Sequence, residues 1–294
     1  MSWRFRLRRA VVRFIARISH RLALSSLARG DHQRAERLFR RAVEHAEGTL
    51  SDIECAAMLN DLGVLCKALG RFDEAARVYH RAVPLVVASR GENSVEAAAL
   101  YHNLGGPEHA RGRHALGESP ARRALEIREG LLGPDHPDVA ADAAALAAIL
   151  DGQGKHEEAE RLIRSALVVF ERTYGPEHYE VAVSLNNLAA LRQAVGDGVD
   201  AERLYRQSLA LKEKLLGPAH PDVAVTANNL AVLYKTQQRY GDAERCYRRA
   251  LAIFERSLGP SHPKTIACRD NHAAAVRASG PAVASELLRE ERRV

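Results

Sequence analysis

The sequence predicts an all-α solenoid, and three observations support this fold class. The segment 184–217 recurs 42 residues later as 226–259. Glycines recur at the same spacing, and a proline and then a histidine follow the last four of them. Each copy holds two helical patterns whose apolar stripes cannot be buried within one copy, so successive copies must stack. The glycines are Gly91, Gly133, Gly175, Gly217 and Gly259, and the histidines are His136, His178, His220 and His262.

Each copy also places small residues where two helices would meet. The first helical pattern carries one directly after a leucine in the first five copies, and the second carries one ahead of a tyrosine in three copies. Small side chains allow paired helices to approach closely, and the larger side chains fill the remaining space. The first set is Gly63, Gly105, Ala147, Ala189, Ala231 and Ala273, and the second is Ala75, Gly117, Ala159, Ala201 and Ala243, with Tyr79, Tyr205 and Tyr247.

This pattern resembles the tetratricopeptide repeat, in the 42-residue variety of kinesin light chains and of many bacterial repeat proteins. The resemblance covers nearly the whole chain and implies a right-handed superhelix of antiparallel helix pairs. We expect a basic N-terminal extension over 1–18 and one elongated repeat body over 19–294. The repeats are predicted at about 10–48, 51–89, 94–132, 137–174, 178–216 and 221–258, with a capping helix at 263–294.

The third repeat contains the main irregularity of the array. Pro107 stands where the other repeats have leucine or isoleucine, and four glycines lie around it. A proline inside a helix costs about 3 kcal/mol, so we expect the first helix to kink or stop there. Ser119 and Pro120 then form a suitable N-cap and first turn, which predicts a shortened second helix that ends near Leu131. Residues 105–119 are expected to be mobile.

The N-terminal residues predict a basic amphipathic helix. At about 100° per residue, Trp3, Leu7 and Phe14 share an apolar face with other apolar residues, and Arg6 and Arg9 lie opposite. Further arginines interrupt the apolar runs, so neither a secretory signal nor a membrane-spanning helix is predicted. The second half of the helix aligns with the first helix of the first repeat. The remaining part of the helix, from Trp3 to about Phe14, packs on the protein's own surface, binds a partner or lies on an anionic membrane.

The net charge of +6 is concentrated in one segment. Residues 1–30 carry eight arginines and no acidic residue, and the remainder has 35 basic and 37 acidic side chains. A nucleic-acid-binding solenoid would spread basic residues along its face, so nucleic acid is an unlikely partner. The four cysteines form no CxxC pair, and we expect mostly buried thiols without disulfides. The expected location is the cytoplasm, with a membrane-peripheral position as an alternative.

The motifs of catalysis are absent from the sequence. It contains no glycine-rich phosphate loop, GxSxG elbow or HExxH pair. The repeated histidines occupy equivalent turns of successive repeats, so they form a ridge and do not converge on one metal ion. A turn or packing role is favoured for them. We therefore predict no enzyme activity, cofactor, metal or small-molecule substrate.

The resemblance implies that the first helices line an inner groove. Relative to the buried leucine of each first helix, the family turns the residue two before it and the residue five after it toward the groove. Small apolar residues such as Ala190 and Val232 lie between these two rows. The partner-binding residues predicted in this way are Asn60, Lys67, His102, Asn186, Gln193, Asn228, Lys235 and Arg277.

Asparagine amides donate and accept hydrogen bonds, so a row of them can bind the backbone of an extended peptide. The alternative is that the asparagines tie neighbouring helices together. This packing role is favoured for the second residue of each Asn-Asn pair, Asn187 and Asn229. For the first residue, Asn186 or Asn228, both roles remain open.

These observations predict a non-catalytic adaptor or scaffold that binds a peptide or protein segment. Two other functions remain open. One is a membrane-peripheral scaffold anchored by the N-terminal helix, and the other is a regulatory subunit or helper of an enzyme.

Overall fold

The computed structural model describes the backbone of residues 3–291 and the side chains of Trp3 and of residues 6–279. Within this part of the chain there are thirteen α-helices and no strands, which confirms the all-α prediction. The helices are α1 Trp3–Ala28, α2 His32–Ala46, α3 Asp52–Ala68, α4 Phe72–Arg90, α5 Val95–Ala110, α6 His114–Leu132, α7 Pro137–Asp151, α8 His156–Tyr174, α9 Tyr179–Ala194, α10 Gly198–Leu216, α11 Pro221–Thr236, α12 Tyr240–Leu258 and α13 Pro263–Glu291.

The helices pack as consecutive pairs in two compact units. The first unit ends at Pro134 and contains the pairs α1 with α2, α3 with α4, and α5 with α6. The second begins at Asp135 and contains α7 with α8, α9 with α10, and α11 with α12, on which α13 packs. Within each unit the second helix of one pair also contacts the first helix of the next. Helix α1 runs without interruption through residue 18, so the predicted extension and the first repeat's first helix form one helix.

The recurrent glycine and histidine mark the end of one helix pair and the start of the next. The glycines close α4, α6, α8, α10 and α12 with φ between +82° and +87°, a conformation in which a Cβ would be strained. His136, His178 and His220 are N-caps, and the ring Nδ1 of each accepts the backbone N–H two residues later at 3.1, 3.3 and 3.1 Å. The predicted turn role of the histidines is therefore confirmed.

The small residues lie at the predicted close approach between paired helices. A Cβ placed on Gly63 of α3 would lie 2.5 Å from Cε1 of Tyr79 on α4, which is closer than two atoms can pack. Tyr79, Tyr205 and Tyr247 are all fully or almost fully buried, as is Ala189 of α9. The repeat therefore buries its largest side chains against its smallest ones.

The prolines of the third repeat do not break its helices. The predicted stop at Pro107 and the predicted shortened second helix were therefore wrong. Helix α5 continues through Pro107 to Ala110, and α6 begins at His114, so Pro120 lies in its second turn. Ser119 is not an N-cap, and α6 is not shortened, since it is 19 residues long, as α8 is. The residue before a proline avoids the helical conformation partly because its Cβ clashes with the ring, and Gly106 has no Cβ. Pro107 is itself buried, so its packing helps to hold the helix.

Replacing Pro107 by leucine should stabilise the protein. The equivalent residues Leu65, Leu191 and Leu233 are buried in their own repeats. The exchange restores one helical hydrogen bond and removes a ring clash worth about 3 kcal/mol, part of which is offset by the larger side chain. We expect a gain of about 1–2 kcal/mol in urea unfolding. Pro84→Ala is the control, because it removes a proline from the exposed side of α4. It measures the gain in stability from restoring a helical residue without a change in core packing.

Amide hydrogen exchange should also be faster over residues 105–119 than over 185–191, because each proline removes a donor from its helix. Equal protection of the two segments would contradict this expectation.

A buried lysine occupies a position that the sequence analysis did not single out. Lys212 of α10 is 3% exposed and takes the place of the buried Phe170 and Phe254 of neighbouring repeats. Its Nζ donates a hydrogen bond to Oγ1 of Thr226 on α11 at 2.9 Å. Burial lowers the pKa of Lys212 to about 8. The negative charge of Asp222 acts in the opposite direction and raises this pKa, but by less. The lysine therefore destabilises the fold while it carries its charge.

Lys212→Met should raise the free energy of unfolding near neutral pH by about 1–3 kcal/mol, because it removes a buried charge and one hydrogen bond. The native state holds fewer protons than the unfolded state between the lowered pKa of about 8 and the ordinary value of 10.5. Wild-type stability should therefore rise with pH across this window and approach that of the variant. Urea unfolding at several pH values checks this, with the exposed Lys214→Met as control. A constant difference between Lys212→Met and wild type would contradict it.

Candidate functional site

The first helices of neighbouring pairs contact one another inside each unit, α3 with α5 in the first unit and α7 with α9, α9 with α11 and α11 with α13 in the second. The surface that these helices present, named here the first-helix face, carries most of the predicted partner-binding residues. It is built twice, once in each unit, and the two copies differ in their side chains.

Polar bonds link the first helices of successive repeats. Asn103 Nδ2 donates to Asn60 Oδ1 at 2.8 Å in the first unit, and Asn229 Nδ2 donates to Asn186 Oδ1 at 3.2 Å in the second. Each of these helices carries two adjacent polar residues. In both cases the second of the two donates to the first of the two in the preceding repeat. His20 Nε2 and Asp61 Oδ2, 2.7 Å apart, form the equivalent link between α1 and α3. These links hold the first helices at a fixed spacing.

Two of the three asparagines predicted to face the groove, Asn60 and Asn186, are therefore engaged in bonds between helices. Asn186 is 7% exposed, and its Nδ2 donates to Asn187 while its Oδ1 accepts from Asn229. Asn60 is half-buried and bonded through its Oδ1. Among the described residues, Asn228 Oδ1 is buried without a hydrogen-bond partner. For Asn60 and Asn186, the geometry favours the inter-helix role over the peptide-binding role.

A pocket of about 620 Å³ opens on the first-helix face of the second unit. Three amides line it, Gln193 of α9 and Asn229 and Gln237 at α11, together with Ala190 and Val232. We name this the amide pocket. The whole lining, which contains no charged residue, is Ala190, Gln193, Ala194, Gly196, Gly198, Tyr205, Asn229, Val232, Leu233, Thr236 and Gln237.

Two features of the chain shape the amide pocket. Gly196 and Gly198 lie at the start of α10, and a Cβ on Gly198 would lie 2.9 Å from Nε2 of Gln237, so the glycine leaves this amide room beside α10. Tyr205 donates its hydroxyl hydrogen to Gln193 Oε1 at 3.3 Å, which orients that amide. The pocket offers donors and acceptors above a small apolar floor, an arrangement suited to a peptide backbone with a small or apolar side chain.

The other predicted residues do not join this pocket. Asn60 lines a separate apolar pocket of about 220 Å³ in the first unit, beside Ala57 and Leu100. Lys67 is exposed and passes over Gly106, where a Cβ would lie 3.3 Å from its Nζ. His102 of α5 is half-buried. These residues form a different surface from that of the amide pocket.

In the second unit, Lys235 is half-buried on α11 and Arg277 is exposed on α13. They lie on helices that contact each other and extend the first-helix face beyond the amide pocket. Of the N-terminal residues, Trp3, Arg6, Leu7 and Phe14 are exposed, and Arg9 is half-buried.

The buried thiols stay protonated at neutral pH. Burial raises the pKa of the Cys66 and Cys268 thiols to about 11, and Cys55 is also buried, as expected. No group of three or more histidine, cysteine or acidic side chains there is placed to hold a metal ion. Similarly, none of the described helices combines the length and apolar character needed to cross a membrane.

Solved structures define the class of protein as a repeat protein of stacked helix pairs. BtubC (BKLC) from P. vanneervenii is 25% identical with a TM-score of 0.55, over 80% of this chain and 92% of that one. A putative kinesin light chain with nearly identical TPR-like repeats from Podosopora anserina is 21% identical with a TM-score of 0.52, over 68% and 95%. The apo form of RapI is 12% identical with a TM-score of 0.63, over 90% and 97%. No curated protein matches the chain.

The model of the tetratricopeptide repeat matches the chain six times, in overlapping segments that together extend from residue 14 to residue 294. The chain belongs to the tetratricopeptide repeat family. The matched segments are 14–86, 54–116, 96–172, 141–214, 180–256 and 222–294.

Removing the link between α9 and α11 should destabilise the second unit. Asn229→Ala leaves the buried Oδ1 of Asn186 without its donor, which costs about 1–3 kcal/mol. Asn228→Ala is the matched control on the same helix, because it removes an oxygen without a hydrogen-bond partner and should change stability little. Thermal and urea unfolding of the two variants provide the measurement. An equal loss in both would show that the link contributes nothing specific.

Proposed function

We propose that this protein is a non-catalytic scaffold that binds an extended segment of a partner protein on the first-helix face of its second unit. The amide pocket carries the proposal. Its volume of about 620 Å³ is in the range of small-ligand sites and accommodates a few residues of a peptide. Tetratricopeptide repeat proteins typically act as protein-interaction scaffolds, which supports the same conclusion.

The chemistry of the amide pocket indicates the kind of segment that would bind. Gln193 and Gln237 can each donate and accept, so together they match the alternating N–H and C=O groups of an extended backbone. Ala190 and Val232 leave room for an apolar side chain between them. Since the lining is uncharged, the segment inside the pocket should be neutral. A charged residue in the pocket would lose its hydration without a counter-ion.

Charges of the partner would lie beside the pocket. Lys235 of α11 and Arg277 of α13 lie on the adjoining helices, so acidic residues flanking the apolar one would meet these two cations. Asn228, next to the pocket-lining Asn229 on α11, can contribute through its Nδ2. This arrangement predicts an extended ligand that runs across successive first helices, as a β-strand-like or irregular segment does.

The proposal is tested by capturing the partner from extract under reducing conditions and titrating it against variants. Ala190→Arg should fill the amide pocket and weaken binding by at least tenfold. Ala148→Arg places the same side chain at the equivalent position of α7, which is not part of the pocket, and should leave binding unchanged. Circular dichroism confirms that both variants are folded. Unchanged affinity of Ala190→Arg would remove the amide pocket from the function.

A second variant separates hydrogen bonding from filled volume. Gln193→Ala with Gln237→Ala removes up to two hydrogen bonds of about 0.5–1.5 kcal/mol each, so affinity should fall roughly tenfold to a hundredfold. A partner enzyme whose activity changes on binding would identify the scaffold as a regulatory subunit. No activity of the isolated chain is expected, and turnover abolished by one point substitution would contradict the proposal.

A further inference from the structure

The N-terminal helix α1 exposes a continuous apolar stripe. Six large side chains follow one another at intervals of four or three residues, which places them on one side of the helix. Their exposed fractions run from 41% at Ile18 to 70% at Trp3. From the first to the last, the stripe is roughly 28 Å long at 1.5 Å per residue. Its members are Trp3, Leu7, Val11, Phe14, Ile18 and Leu22.

The C-terminal part of the stripe, Ile18 and Leu22, occupies positions that are buried in the other first helices of the unit. Leu22 is 43% exposed, whereas Leu62 of α3 and Leu104 of α5, its equivalents, are each 3% exposed. Helices α3 and α5 each pack on the second helix of the preceding pair, α2 and α4. Among the described elements, none takes this place beside α1. The C-terminal part of the stripe is therefore a surface of the kind that the fold normally covers, and the apolar stripe continues from it toward Trp3.

Hydrogen bonds on another side of α1 fix the direction in which the stripe points. Arg9 donates to the carbonyl oxygen of Gly48 at 3.0 Å, and Arg13 donates to that of Thr49 at 2.6 Å. Arg17 is paired with Glu54 at 2.9 Å. These arginines hold α1 against the turn before α3 and against α3 itself. The basic side of the helix thus faces the protein, and the apolar stripe faces outward.

The exposed arginines flank the stripe on both sides. At about 100° per residue, Arg8 lies along one margin and Arg21 along the other, and Arg6 lies about 60° beyond the margin of Arg21, toward the opposite side of the helix. Residues 1–30 contain no acidic side chain. The surface around the stripe is thus apolar in the middle and cationic at its margins. The apolar stripe and its arginines therefore complement a partner surface that has an apolar layer beneath an anionic one.

We propose that α1 lies in the interface of an anionic membrane, with the apolar stripe among the acyl chains and Arg6, Arg8 and Arg21 at the lipid phosphates. Long arginine side chains beside an apolar stripe reach the headgroup level while the stripe is immersed, and tryptophan favours the same depth. The helix lies on the membrane and does not cross it, in keeping with the lack of a spanning helix in the described chain.

The length of α1 favours a membrane over a protein helix that completes the array. Aligned with α3, which begins at Asp52, α1 would need to begin only near residue 12, yet it begins at Trp3. A helix placed on α1 as α2 is placed on α3 would lie against the part that aligns with α3, which contains Phe14, Ile18 and Leu22. The part of the stripe from Trp3 to Val11 would extend beyond it. An extended flat interface covers the whole length.

The only tryptophan of the chain is Trp3, so its fluorescence reports on the stripe alone. Full-length protein is mixed with vesicles of equal parts phosphatidylglycerol and phosphatidylcholine, and with vesicles of phosphatidylcholine only. We expect sedimentation with the anionic vesicles and a blue shift of the Trp3 emission. Both should weaken as salt is added, because the exposed charges are screened. Equal binding to the two kinds of vesicle, or no binding to either, would overturn the proposal.

Substitutions identify the surface that binds. Leu7→Glu with Phe14→Glu should abolish sedimentation, and since both side chains are exposed the fold should be kept. Val168→Glu with Val199→Glu alters two apolar residues of the second unit that are 61% and 84% exposed, and it should leave binding unchanged. Arg6→Gln with Arg8→Gln should weaken binding to anionic vesicles about tenfold. Loss of binding in the Val168 and Val199 variant would contradict the assignment to α1.

The alternative occupant, a second copy of the chain, is decided in the same preparation. Analytical ultracentrifugation without lipid should show a sedimentation coefficient that does not depend on concentration. A dimer that disappears in the Leu7→Glu, Phe14→Glu variant, without vesicle binding by the wild type, would assign the stripe to self-association and overturn the proposal. The amide pocket belongs to the second unit, so this outcome would leave the proposed scaffold function untouched.

Discussion

The structure depends on the close approach of two helices within each repeat. A pair of amphipathic helices can bury its stripe only if the backbones come near each other and if the next pair covers what remains. In the second repeat the approach is so close that Gly63 has no room for a methyl group beside Tyr79. The tyrosine fills the volume that the glycine leaves. Stacking of such pairs then produces one type of core along each unit.

The two proposed binding surfaces consist of side chains that stacking leaves outside the core. Along the first-helix face, side chains that do not enter the core meet those of the neighbouring repeat, and the amides bond to one another. Where the residues between them are as small as Ala190 and Val232, the same face opens into the amide pocket. At α1, stacking has no further partner among the described helices, and an apolar stripe remains exposed. Both surfaces are thus consequences of the repeat geometry.

The sequence predicted the fold because the constraints of the repeat are local. A glycine at a left-handed C-cap, a histidine at the following N-cap and a small residue opposite an aromatic one each act within one helix pair. Their spacing located α3, α5, α7, α9 and α11 to about one residue. The proline rule failed at Pro107 for the opposite reason. The cost of a proline is a local preference, and burial of its ring together with the neighbouring Gly106 outweighed it.

The sequence by itself determined the helix pairs, the recurrent glycine and histidine caps and the repeat spacing. The tertiary structure decided how individual polar side chains are used. Asn186 and Asn228 are equivalent in sequence, yet one is bonded to the next repeat and the other has an unpaired oxygen. Lys212 likewise has the sequence position of a buried phenylalanine and is buried as a lysine. Whether such a hydrogen bond forms depends on changes of a few tenths of an ångström in the donor–acceptor distance. The two residues of each bond are 43 or 14 positions apart in the chain, and a repeat pattern does not specify that distance.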